Sequence, residues 1–394
     1  TAQGRFQEAI DLIREAIPFP GICGRICTHP CELNCRRAEL EQAIAIRPLN
    51  RFLADWDLAA GRGREAARPP AADAAARTQR VAVVGAGPAG MTVAERLARQ
   101  GYAVTVFDRL PVIGGMMAVG IPEYRLPRDV IAGEYRCIQD LGVEIRLNTG
   151  IGIGAGEQSL DDLLASGYSA VCLAIGAHRS HSLRILGEHL PGVVHGIELL
   201  KVISLAQQLG DSEHPAALAR ILRRGPATRA AVLGGGNTAM DVSRSLRRLG
   251  LQDVRILYRR TRAEMPATPE EILDAEEEGV AIEYLVAPTR VLGDPETGVV
   301  GLECQRMALG EPDASGRRRP IPIPGSEQVF DLDLVVLAIG QAPDLDALGQ
   351  GHGLAINRAE RISLAEGGFA TNRPGIFAAG DAVTQDKMAV IEAI

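Results

Sequence analysis

Two glycine-rich runs, each following a short apolar strand pattern and opening a helical one, constrain the fold of this chain more than any other feature. The first, Val81-Ala-Val-Val-Gly85-Ala-Gly87-Pro88-Ala89-Gly90, is G-x-G-x-x-G and continues with helical character from Met91 to Gln100. In such a turn Gly85 permits the tight reversal, Gly87 lets backbone approach a pyrophosphate, and Gly90 permits close helix–strand packing. The helix N-terminus then carries the phosphate charge. The second run, Ala230-Ala-Val-Leu-Gly234-Gly-Gly236-Asn237-Thr238-Ala239, has the G-x-G-x-x-A form and opens a helix reaching about Arg248. Each reads as a dinucleotide site.

The two openers belong to a weak internal repeat. Ala170-Val-Cys-Leu-Ala-Ile-Gly176 trails the first and Leu334-Val-Val-Leu-Ala-Ile-Gly340 the second, each by roughly a hundred residues. From Arg80 onward the order strand, Gly-rich turn, helix, strand predicts an α/β fold with parallel sheets. The expected architecture is two Rossmann-like domains, one inserted in the other, behind a helical domain. The boundaries read as a helical domain over 1–60, an Ala-, Arg- and Pro-rich linker over 61–78, the first nucleotide domain over 79–180 and again over 341–394, and the second over 181–340. The chain starts inside an amphipathic helical pattern (Phe6, Ala9, Ile10, Ile13) and stops at Ile394 inside another that has no stop signal, so further segments are expected at both ends.

Composition narrows the function classes. The 394 residues are 46% apolar and 23% charged, enough to bury large cores. A net charge of −7, without a basic stripe interleaved with aromatics, gives nucleic acid or an anionic membrane no electrostatic footing. The apolar runs fall far short of the ~20 residues that span a bilayer, and no signal-peptide layout is visible. The expected compartment is the cytoplasm.

The residues downstream of each opener distinguish the nucleotides. The strand pattern Ala103 to Phe107 ends at Asp108, where an acid accepts hydrogen bonds from ribose hydroxyls. Far downstream, Gly375-Ile-Phe-Ala-Ala-Gly380-Asp381 is a buried-strand pattern ending in a small residue and an acid. Gly380 admits phosphate, and Asp381 suits a polyol hydroxyl such as flavin ribitol, or caps the following helix. In the second unit the strand Asp253 to Leu257 is followed by Tyr258-Arg259-Arg260. An acid there would repel the 2′-phosphate of NADP, whereas arginine clamps it, which favours NADPH over NADH; the alternative is a solvated surface pair.

Cys23, Cys27, Cys31 and Cys35 recur every fourth residue. On one continuous helix they would spread over ~18 Å, too far for a single cluster, and Gly24 and Pro30 argue against such a helix. In a cytoplasmic chain the row favours metal over disulfide, and iron–sulfur suits an electron-transfer neighbour better than zinc; an empty site is the other alternative. Cys172 lies in a strand pattern and reads as core, and Cys137 and Cys304 have no partner at redox-motif spacing; no C-x-x-C or C-x-x-x-x-C follows either nucleotide motif, which argues against a disulfide reductase. His178 and His181 read as an exposed loop pair, and the acidic run Glu270, Glu271, Asp274 and Glu276–Glu278 as a solvated helix face.

Together these residues resemble the glutamate synthase small (beta) subunit family and the related N-terminal half of dihydropyrimidine dehydrogenase. The match runs from Pro18-Phe-Pro-Gly-Ile-Cys23-Gly-Arg-Ile-Cys27-Thr-His-Pro-Cys31-Glu-Leu-Asn-Cys35 to Gly380-Asp381 and includes Gly120-Ile-Pro-Glu-Tyr-Arg125-Leu-Pro127. The resemblance implies that Gly85 to Gly90, Asp108, Arg109, Gly115, Arg125, Gly380 and Asp381 hold FAD. It implies that Gly234, Gly236, Asn237, Thr238, Arg259 and Arg260 hold NADPH. Asp108 stands where relatives usually have Glu. In relatives the N-terminal helical domain holds two 4Fe-4S clusters with cysteines from a segment upstream of this one; by that analogy Cys27, Cys31 and Cys35 look like ligands and Cys23 is the doubtful fourth.

The implied activity is an FAD-dependent NADPH oxidoreductase that takes hydride from NADPH and passes electrons through iron–sulfur clusters to a separate subunit, such as a glutamate synthase large subunit or ferredoxin. Alternatives are the reverse flow, from ferredoxin or a similar donor to NAD(P), and a nucleotide-binding assembly subunit without turnover. No general acid or base is expected, because hydride chemistry belongs to the cofactors.

Overall fold

The computed structural model describes residues 1–61, 77–152, 154, 157–222, 224–313, 316–349 and 351–383. The linker expected over 61–78 and the helical pattern running to Ile394 fall largely outside the described residues. The chain groups into two units: Thr1–Ala118, Glu123–Arg179 and Ala342–Ile394 form one, and Val119–Pro122 with Ser180–Gln341 the other.

The first unit begins with four helices, α1 (Phe6–Ala16), α2 (Pro20–Ile26), α3 (Pro30–Leu33) and α4 (Ile46–Ala59). The amphipathic face of α1 buries Ile10 against Leu53 and Ala54 of α4, and Phe6 meets Phe52 and Trp56 edge-on. The cysteine row does break, at Cys27, and Pro30 opens α3 where its missing N–H is harmless. Gly24 has a different task from the helix-breaking one expected. It lies within α2, and a Cβ there would fall 2.6 Å from the Arg51 backbone, so glycine lets α2 and α4 approach.

A five-stranded parallel sheet follows, in the order β13-β4-β1-β2-β3, where β1 is Arg80–Val84, β2 Ala103–Phe107, β3 Glu144–Arg146, β4 Tyr168–Leu173 and β13 Ile376–Ala378. Buried on both faces, β1 and β2 need apolar residues at nearly every position. Helix α5 (Pro88–Arg99) crosses from β1 to β2, and α6 (Arg128–Gln139) precedes β3. Leu173, Phe107, Tyr168 and Ile376 meet in one core, so β13 is packed with strands some two hundred residues earlier.

The second unit repeats the scheme. Its parallel sheet runs β5-β12-β6-β7-β8, with β5 Val193–His195, β6 Arg229–Leu233, β7 Asp253–Tyr258, β8 Ala281–Tyr284 and β12 Leu334–Leu337. Helix α7 (Gly196–Gln208) follows β5, α8 (Asn237–Arg248) joins β6 to β7, and α9 (Pro269–Glu277) precedes β8. An antiparallel meander of β9 (Val286–Asp294), β10 (Gly298–Pro312) and β11 (Arg318–Asp331) intervenes before β12.

The acidic run is a solvated face only in part, with Glu270 and Glu277 exposed. Glu271, Asp274 and Glu278 converge on Arg244 of α8 at 3.0, 3.1 and 2.9 Å, and that side chain is only 7% exposed. Charge periodicity along α9 does not reveal this, because the arginine that gathers the carboxylates lies on another helix.

Candidate functional site

The first glycine loop is fixed from three sides. Ala86 donates its N–H to Asp108 Oδ2 at 2.6 Å and accepts from Gly114 N and from the Tyr135 hydroxyl, both at 3.1 Å. Gly85 has φ +112°, and a Cβ on it would lie 2.3 Å from Ala174 O. Gly90 is equally constrained, with a Cβ falling 2.0 Å from Gly85 O. Gly87 is the opposite case: a Cβ there meets nothing within 4 Å, and no side chain caps α5. The first turn of α5, which opens at Pro88, is thus left without a side-chain cap beside the open face of Gly87.

Asp108 is more committed than its position alone indicates. Its other oxygen accepts the Leu110 N–H at 2.7 Å, so both are bonded to backbone. Gly115 (φ +54°) comes against the loop, where a Cβ would lie 3.0 Å from Gly87 Cα. Arg109 is half exposed and 3.4 Å from Glu157, and Arg125 is partly buried. The return of β13 alongside β4 brings Gly380–Asp381 to α5: the Ala379 N–H bonds Leu173 O at 3.0 Å, and the turn Gly380–Ala382 packs on that helix. The Arg361 guanidinium holds the Asp381 carbonyl.

The second loop is built the same way. Gly234 (φ +142°) would place a Cβ 2.2 Å from Ala338 O, as Gly85 does against Ala174. In both units the alanine of Leu-Ala-Ile-Gly donates its N–H back to the glycine-loop strand at 2.8 Å, Ala174 to Val84 and Ala338 to Leu233. The repeated motif thus has one structural task. Gly236 is open, with only Pro266 Cγ at 3.9 Å, and Asn237 Oδ1 accepts the Thr268 N–H at 3.1 Å. Gly236, Asn237 and Thr238 are all partly exposed.

The paired arginines separate. Arg259 is exposed and has no hydrogen-bond or ion-pair partner among the described residues. Arg260 is 3% exposed, its Nη2 bonded to Asp313 Oδ2 at 2.6 Å and its Nε to Arg318 O at 2.7 Å. Sequence reasoning missed Asp313, Arg318 and Tyr135, which reach these loops from distant elements.

The four N-terminal cysteines do not form a closed set. Among the described residues no three His, Cys, Asp or Glu side chains gather so as to hold a metal ion. Cys23 is buried in α2 and its thiol is pushed well up by burial. Burial also raises Cys27, opposed by the His29 N–H, which points at its sulfur from 3.3 Å. Cys35 is held below its ordinary value by N–H donors from Ile44, Arg37 and Ala38, an environment that favours the iron-binding thiolate. Cys31 is exposed.

Residues 79–394 match the pyridine nucleotide-disulphide oxidoreductase family, and residues 1–62 match dihydropyrimidine dehydrogenase domain II, 4Fe-4S cluster. The glutamate synthase [NADPH] small chain of Halomonas elongata is 34% identical over 394 residues, covering 99% of this chain and 80% of that one. The chain belongs to the glutamate synthase small-chain family of pyridine nucleotide-disulphide oxidoreductases. The NADP(+)-dependent formate dehydrogenase subunit beta of Moorella thermoacetica is 42% identical over 409 residues, 99% of this chain and 55% of the relative. The chain thus spans about half the length of that relative. Mycobacterium tuberculosis FprA in complex with NADPH shares the fold, with a TM-score of 0.64, 20% identity, and coverage of 80% of this chain and 82% of FprA.

A member of this family is an NAD(P)H oxidoreductase that uses FAD, here with a 4Fe-4S domain in front. The first loop fits FAD, because Gly87 leaves room for a pyrophosphate at the start of a helix without a side-chain cap, and the turn Gly380–Ala382 packs on that helix. The cysteines fit a cluster only in part. Cys27 and Cys35 have thiolate-favouring donors, but the set is not closed. No helix among the described residues is long and apolar enough to cross a membrane.

Proposed function

We propose that this chain is the NADPH-oxidising, electron-transferring part of a larger cytoplasmic assembly, binding FAD at the first glycine loop and NADPH at the second. The observation that carries the reading is the matched construction of the loops, Gly85 against Ala174 O and Gly234 against Ala338 O, followed by an acid in one unit and by arginines in the other. Gly85 to Gly90, with Gly115, would line the FAD pyrophosphate; Asp108 holds that loop in shape, and Arg109, Arg125, Gly380 and Asp381 complete the site. Gly234, Gly236, Asn237 and Thr238 would take the NADPH pyrophosphate, and exposed Arg259 its 2′-phosphate. Bound FAD supplies the chemistry of accepting hydride and releasing electrons singly, while the protein binds and orients. Cys27, Cys31 and Cys35 are the proposed cluster ligands, with Cys23 left in the core. Relatives named for formate dehydrogenase and glutamate synthase support a separate subunit as electron partner.

Anaerobic titration of the purified flavoprotein tests this. NADPH should bleach the flavin band and drive dye reduction, with NADH the poorer donor. Protein that carries no flavin, or flavin that stays oxidised under excess NADPH, overturns the reading.

A further inference from the structure

The arginine that a sequence motif assigns to the nucleotide is buried against a hairpin that the motif does not contain. Arg260 points its guanidinium at the β10–β11 hairpin, where it meets Asp313 Oδ2 at 2.6 Å and the Arg318 carbonyl at 2.7 Å. Arg318 in turn donates from Nε to Glu264 Oε1 at 2.6 Å. Glu264 closes the loop with its other oxygen, accepting the Thr261 N–H at 3.1 Å and the Thr261 hydroxyl. The Tyr258 hydroxyl fixes the same turn from inside, donating to Glu264 O at 2.7 Å, and the Tyr258 ring lies where a Cβ on Gly235 would be, 2.6 Å away. The segment Tyr258–Glu264 is therefore tied at one end to the glycine loop and at the other to the hairpin, with Arg259 the guanidinium left facing solvent.

We propose that Asp313 and Arg318 are positioning residues for the 2′-phosphate: they lock Arg260 as a buried strut so that Arg259 alone is presented to the nucleotide. This rests on the assignment of the second loop to NADPH. The physical reason is the cost of a buried guanidinium. Without Asp313, Arg260 is a desolvated charge with a single carbonyl acceptor, and the segment must shift until water reaches it. That shift moves Arg259, its neighbour in sequence. The hairpin thereby contributes to cofactor choice from some fifty residues beyond the motif, a separation that follows from Asp313 and Arg260 being 53 positions apart.

The test is equilibrium binding of adenosine 2′,5′-bisphosphate and of AMP to the full-length protein, alongside KM and kcat for NADPH. Asp313→Ala should weaken the bisphosphate about tenfold and AMP less than threefold, and should raise KM for NADPH with kcat changed less than twofold. Asp313→Glu, which restores the charge, should recover most of the affinity. Arg260→Lys should behave as Asp313→Ala, since an ammonium cannot bond the carboxylate and the carbonyl as a fork does. Tighter bisphosphate binding in Asp313→Ala would show that Arg260 is a clamp which Asp313 restrains, and that overturns the proposal. Equal loss of bisphosphate and AMP, or no loss of either, also overturns it. Arg259→Ala separates the underlying reading: if that variant discriminates bisphosphate from AMP as well as the parent does, the phosphate assignment fails, whatever Asp313 does.

Discussion

Single residues here divide into those the fold requires and those a ligand requires, and glycines show the difference. At Gly85 a methyl would collide with Ala174 O at 2.3 Å in a backbone of φ +112°, so substitution there strains the protein itself. At Gly87 the same methyl meets nothing within 4 Å. Gly87→Ala should therefore lower the flavin-to-protein absorbance ratio after dialysis by at least half, while the melting temperature of flavin-free protein stays within about 2 °C of the parent. Full flavin retention would remove Gly87 from the site. This distinction was legible in the sequence because the motif states which glycine approaches phosphate. The commitment of Asp108 to Ala86 and Leu110 was not, since an acid at a strand end looks the same whether it faces ribose or backbone.

Among elements, the docking of α2 on α6 concentrates buried charge. Glu134 of α6 is 1% exposed and accepts the Gly21 N–H of α2 at 2.6 Å. Phe19 packs at 5.4 Å, tilted by 45°, against the ring of Tyr135 on α6, whose hydroxyl holds the first glycine loop. Burial pushes the Glu134 carboxyl up to about 7, against the pull of Arg14, the Gly21 N–H and Arg25, with Asp57 adding to the rise. An acid whose folded value exceeds its unfolded value of about 4.3 keeps its proton longer in the folded state, so its contribution to stability falls as pH rises from about 4.3 to 7. Glu134→Gln retains an oxygen for Gly21 and does not titrate. The variant should match the parent in thermal unfolding at pH 5 and exceed it at pH 8, by up to roughly 3 kcal/mol. A variant that is less stable at pH 8 would show that the ionised carboxylate is compensated by Arg14. Helix periodicity revealed α1 but not this contact, because α2 and α6 are separated by over a hundred residues and the glutamate gives no sign in the sequence that it is buried. The gathering of Glu271, Asp274 and Glu278 on Arg244 was hidden because the arginine lies on another helix.

For the whole molecule, the weak internal repeat marks strands that return to the same place in two sheets. Each Leu-Ala-Ile-Gly run supplies the carbonyl that seats the first glycine of its own loop, so each loop is complete within one unit. That independence predicts separable losses. In Gly234→Ala the new methyl falls 2.2 Å from Ala338 O in a backbone of φ +142°, a strain of about 1–3 kcal/mol that the second loop must relieve by moving. Nothing in the first unit bears on that clash, so the purified variant should keep its flavin at the parent ratio. Its flavin should bleach with dithionite as before, yet NADPH should bleach it at least tenfold more slowly at the concentration that half-saturates the parent. Bleaching at the parent rate would remove the second loop from the nucleotide site. Loss of flavin together with NADPH response would show that strain passes between the units, and that seating each loop on its own strand does not isolate it.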